Sequence, residues 1–277
     1  MLGKLLKHEF LASGRIFLPL LALVIAISAL TSLMGIIFEA VGLLETEAAF
    51  FLMGSLLILA AIFVFSAVFS VPLIVFAIRF YKSFLGSEGY LMFTLPVTRH
   101  QLVLSRLITG FVWYAVTGLV ATVGALIALA GWIPTGTFLD SMWIFEGMYE
   151  GLFGPFGIFS ESALAIVTQI ISIPVGAIST ILMIYLAMGL GQLANNYRII
   201  LSIVAYFGIL FVTSIASMMI TLPITLSTGL NAGFLDMYQF QQTTTIVNVV
   251  SLALTAVLCI VMYFGTVYLL NRRLNLL

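Results

Sequence analysis

The chain has 277 residues, 63% of them hydrophobic and only 7% charged, with ten Lys and Arg against ten Asp and Glu and a mean hydropathy of +1.27. Soluble domains carry about 25% charged residues, so this chain has too little polar surface to stay dispersed in water. A soluble enzyme, a nucleic-acid binder and a disordered chain are excluded. The single cysteine, Cys259, excludes a disulfide framework and a Cys-rich metal site.

In chain order, residues 2–13 read LGKLLKHEFLAS, with Leu2, Leu5, Leu6 and Phe10 on one helical face and Lys4, Lys7 and His8 away from it. This pattern predicts a basic amphipathic helix lying in the membrane interface. Gly14 is expected to turn the chain, and Pro19 to sit in the first turn of span one, where its missing N–H costs least. A span needs about 20 apolar residues to cross about 30 Å of hydrocarbon. Six runs qualify: 16–38, 50–78, 107–130, 163–190, 199–222 and 246–270. The first run is longer than the roughly 7–15 apolar residues of a signal peptide, so it is expected to remain as a span. Each run is too long and too evenly apolar for a barrel strand. The expected fold is an all-α membrane protein, a single domain over 1–277.

The charges predict orientation. Lys and Arg occur at Lys4, Lys7 and Arg15, at Arg79, Lys82, Arg99 and Arg106, at Arg198, and at Arg272 and Arg273. The intervening loops hold only acidic charges: Glu39, Glu45 and Glu47, then Asp140, Glu146, Glu150 and Glu161, then Asp236. Basic residues mark the cytoplasmic side, so both termini are expected in the cytoplasm, with the protein in the plasma membrane. The outer loop 131–160 is rich in Gly and aromatic residues and suits the headgroup layer. Pro72 and Pro174 are expected to kink spans two and four.

The chemistry of the chain is sparse. No phosphate-cradling Gly motif occurs, so ATP and other nucleotides have no visible site. The two histidines, His8 and His100, both fall on the cytoplasmic side, so an intramembrane Ser–His dyad is not expected and the chain is not read as an enzyme. No Asp, Glu, Lys, Arg or His is assigned to a span interior, which argues against proton relays. Thr117, Thr122, Gln169, Thr180 and Asn248 are the mild polar groups within spans. They are expected to bond between helices, and Gln169 and Asn248 are also candidates for a translocation path.

The loop between spans two and three carries the sharpest local pattern. Pro96 biases Leu95 away from helix. Thr98 then reads as an N-cap, Gln101 completes a capping box, and Val97 with Leu102 makes a hydrophobic staple, so a short helix starts at Thr98 and leads into span three.

The stretch EGYLMFTLPVTRHQLVLSRL resembles the segment after the second span in permease subunits of ABC exporters of the second type, a fold shared with G-subfamily half-transporters. Glu88, Leu95, Pro96, Val97, Thr98 and Arg99 match that pattern residue by residue, and GLGQLANNYRII between spans four and five is similar to small bacterial members. The outer loop between spans three and four is longer than the family plan implies. The resemblance implies a cytoplasmic coupling helix, with Glu88, Pro96, Thr98, Arg99, His100 and Gln101 facing a separate ABC ATPase subunit. It implies that ATP and Mg belong to that partner, that no cofactor is held on this chain, and that a second permease chain, identical or related, completes the path. A different class fits the same features: a membrane interaction, immunity or substrate-capture protein with no transport cycle of its own.

Overall fold

The computed structural model describes residues 2–41, 55, 66, 68–82, 98–131, 146–147, 149–151, 163–193, 197–231 and 237–272. Their regular structure is helical: α1 (Leu2–Ala40), α2 (Val68–Phe80), α3 (Arg99–Ala130), α4 (Ala163–Gly191), α5 (Arg198–Asn231) and α6 (Met237–Arg272). Five of these are long and apolar enough to cross a membrane. The chain is therefore built as a multi-pass helical membrane protein. Of the run expected as span two, α2 is the part described continuously, and most of residues 50–67 lie outside the described residues.

Four helices run further than the sequence reading allows, among them α6, which starts at Met237 rather than near Ile246. α1 is continuous for 39 residues, with no turn at Gly14 and with Pro19 well inside the helix rather than in its first turn. Gly14 serves packing instead. A methyl there would meet the Trp113 indole at 3.5 Å. Pro19 removes one hydrogen bond, to the Arg15 carbonyl, and one lost bond does not end a long apolar helix whose neighbouring turns are intact. α3 is likewise continuous from Arg99 to Ala130, so the expected short helix is the first turns of span three and not a separate element. α5 continues through Pro223 to Asn231, past the expected end at Leu222. α4 follows the sequence reading closely and carries Pro174 within it.

The described contacts divide the chain into two compact units, Met1–Val75 with Val112–Met148, and Phe76–Phe111 with Tyr149–Leu277. In the first, α1 buries one stripe, Ser13, Gly14, Phe17, Leu21, Val24, Ser28 and Gly35, at the three- and four-residue spacing of a helix face. Phe17 stacks on Trp113 with ring centroids 5.1 Å apart. Val24 packs with Ala121 and with Val68 of α2. A methyl on Gly124 would lie 2.6 Å from the Ser28 hydroxyl, and one on Gly131 would overlap the Ser32 carbonyl. These pairs advance together along both helices, so α1 and α3 are parallel, held at backbone distance by glycines.

In the second unit α4 packs on both α5 and α6. Leu182 meets Met262, Gly265 faces Leu186, and Gly189 faces Leu269, so α4 and α6 are parallel as well. α3 meets both in the opposite sense: Leu107 lies with Leu182 and Met262, while Gly110 faces Ile181 and Arg99 reaches Leu270. The end of α4 lies close against the start of α5: a methyl on Gly191 would overlap the Ser202 hydroxyl. Much of α5 is exposed, including Phe207, Phe211, Val212 and Met219. In a membrane protein such a surface faces lipid tails or another chain and carries no cost of water exposure.

The mild polar residues take a different role from the one expected. Thr117, Thr122 and Thr180 each donate to the carbonyl four residues back in their own helix, at 2.7, 3.0 and 2.9 Å. Hydroxyls at membrane depth are satisfied locally by this back-bonding, without a partner helix.

Candidate functional site

The sequence singles out the start of α3, and the structure shows how that start is held. Thr98 precedes the first helical residue, as an N-cap does. The Thr98 backbone N–H donates to Gln101 Oε1 and the Gln101 N–H donates to Thr98 Oγ1, both at 3.4 Å. The reciprocal box is present, at the long end of hydrogen-bonding range. Leu102, the inner half of the expected staple, is 1% exposed. Val97, Pro96 and Glu88 lie outside the described residues.

Arg99 and His100 turn toward α6. The Arg99 guanidinium donates to the Leu270 carbonyl at 2.5 Å, in the last turn of α6, where four carbonyls lack intrahelical donors and the helix dipole is negative. His100 Nδ1 lies 3.2 Å from the Tyr263 hydroxyl, with ring centroids 5.9 Å apart. Arg99 is half-buried, His100 exposed and Gln101 half-buried. Both residues expected to face an ATPase therefore make contacts inside their own chain.

Arg106 is more deeply buried than its place at the end of the loop suggests. Counted as a cytoplasmic charge in the loop, it lies two turns inside α3 and is 6% exposed. Its guanidinium donates to the Arg79 carbonyl at the end of α2, 3.1 Å away. Its own carbonyl accepts a long bond from the Tyr185 hydroxyl of α4 at 3.5 Å. Tyr185 in turn stacks on Phe80, with centroids 4.4 Å apart and planes 15° from parallel. Ser105 and Val103 beside it are fully buried. The i, i+7 spacing of Arg99 and Arg106, which puts both on one face, was readable in the sequence. Their acceptors were not, being main-chain carbonyls of distant helices.

The result is one end of a bundle where the finish of α2, the start of α3, the finish of α4, the start of α5 and the finish of α6 meet. Arg79, Lys82, Arg99, His100, Arg106 and Arg198 all belong to these segments. Basic residues scattered over 120 positions of sequence are thus gathered at one end of the unit. Gln169 is exposed on α4 and Asn248 half-buried on α6, and no hydrogen bond among the described residues links the two side chains. Among the described residues no three His, Cys, Asp or Glu side chains group as metal ligands would. Chemically, the α3 start offers mechanical connection and positive charge. No known protein family, curated protein or solved structure matches the chain.

Proposed function

We propose that the chain is the membrane-spanning permease of an ATP-driven exporter, similar to ABC exporters of the second type, with ATP and Mg on a separate ATPase subunit and a second permease chain completing the path. The observation that carries this reading is the start of α3. It is capped by Thr98 and Gln101 and bonded to the ends of α6 and α2 through Arg99 and Arg106. A load applied to that end is passed to two other helices through these bonds, as alternating access requires of a permease driven from outside the bilayer. The pairwise helix directions support the topology. α3 opposes α2, α4 and α6 and runs with α1, the alternation that six successive crossings produce. The basic end of the bundle is then cytoplasmic, in the plasma membrane.

A second reading, an interaction or immunity protein without a transport cycle, is favoured by one observation: Arg99 and His100 make contacts to α6 of their own chain. Purification of the tagged full chain from native membranes separates the two. The exporter reading expects an ATP-binding-cassette subunit to co-purify, and ATP hydrolysis to follow that subunit and be absent from the chain alone. Hydrolysis by the isolated chain, or no ATPase in any purification, overturns it.

A further inference from the structure

An ionised group inside a membrane helix is costly and is retained where it does something. Arg106 is such a group, nine-tenths buried and two turns from the nearest helix end. From those partners we infer that Arg106 is a positioning residue, the connection through which displacement of the α3 start is passed to α2. This rests on the exporter reading and names the residue by which the site acts.

Three observations support the assignment. The acceptor is the Arg79 carbonyl, in the last described turns of α2. The cation therefore bonds a neighbouring helix from a position that water scarcely reaches, where a charged bond is at its strongest. On both sides of that bond the packing is stiff. Phe80 and Tyr185 stack beside it, and a methyl at Gly110 would meet Ile181 at 3.4 Å and Phe76 at 3.7 Å. Finally, Arg99 is not equivalent. It is half-buried, at the first helical residue, and its acceptor belongs to α6. The two arginines thus address two different helices, and the deeper one serves α2.

The test has two arms, both on the full chain. In lipid nanodiscs without any partner, Arg106→Met should speed amide exchange over residues 79–82 by about tenfold or more, the loss of one charged hydrogen bond, and leave residues 203–215 of α5 unchanged. Exchange that rises everywhere, or nowhere, overturns the positioning role. The second arm uses membranes containing the co-purifying ATPase and a Lys82→Cys, Cys259→Ser background. The rate of maleimide labelling at position 82 should differ by about threefold or more between nucleotide-free and ATP–vanadate-trapped states. Arg106→Met should abolish that difference while the ATPase still co-purifies, and Arg106→Lys should reduce it. A nucleotide response that survives Arg106→Met overturns the inference. If Arg106→Met fails to accumulate, Arg106→Lys decides in the same way, an undiminished response being the negative result. Failure of the exporter reading looks different: no ATPase and no nucleotide response even with Arg106 present, with the exchange arm still deciding what Arg106 holds.

Discussion

At the scale of single residues, the start of α3 depends on two weak bonds and one strong one. The Thr98 and Gln101 bonds are long, so removing the cap with Thr98→Ala should fall in the lower half of the usual range, about 0.5–1 kcal/mol of stability. Thr98→Ser should restore it. Thermal unfolding of the purified chain in detergent, followed by helical circular dichroism, checks both, and a loss of several kcal/mol would mean that Thr98 does more than cap. The cap was legible because Thr-x-x-Gln after a proline has local meaning. The direction of Arg99 was not. Sequence position placed it at the beginning of a cytoplasm-facing helix, while its acceptor lies 171 residues away on a backbone that has no side-chain signature. The burial of Arg106 was not legible for a related reason. Counting charges by segment assigns every arginine near a span end to water, although a guanidinium with a carbonyl to bond can be buried.

At the scale of elements, the apolar runs located the long helices well, because about 20 consecutive apolar residues have few alternatives in lipid. They located the ends poorly. Apolar length reports what sits in hydrocarbon, while helix length reports where backbone hydrogen bonding continues, and in α1, α3, α5 and α6 the second outruns the first. α1, at 39 residues, is about 58 Å long against about 30 Å of hydrocarbon. Lys7 and His8 are exposed on it while Leu5, Leu6 and Phe10 are half-buried. The amphipathic pattern seen in the sequence is therefore real, but it belongs to the first turns of one rod. Because Pro19 is exposed and only interrupts hydrogen bonding, Pro19→Ala should leave the fold intact and raise stability by about 1–3 kcal/mol. A destabilised variant in the same unfolding measurement would show that α1 needs a bend at this position.

At the scale of the whole molecule, the expected sidedness is open to direct measurement. In a Cys259→Ser background, single variants Ser87→Cys, Ser141→Cys and Ser227→Cys probe the segments between spans. On intact cells a membrane-impermeant thiol reagent should label the latter two and spare the first. Labelling of the first alone reverses the orientation, and labelling of all three breaks the alternation of crossings.

The bonds made by Arg99 and Arg106 share a property with a genetic consequence. Each ends on a main-chain carbonyl, at Leu270 and at Arg79, so each is encoded on one side only. Substitutions at position 270 or 79 that preserve the helix leave the acceptor in place, while a change at 99 or 106 removes the donor outright. A defect caused by charge reversal at either arginine therefore has no compensating reversal at position 270 or 79. Suppressors of an Arg106 defect should not map to the side chain at position 79. Paired substitution patterns, the usual trace of a contact in sequence, should be missing from the two bonds that hold this end of the bundle together.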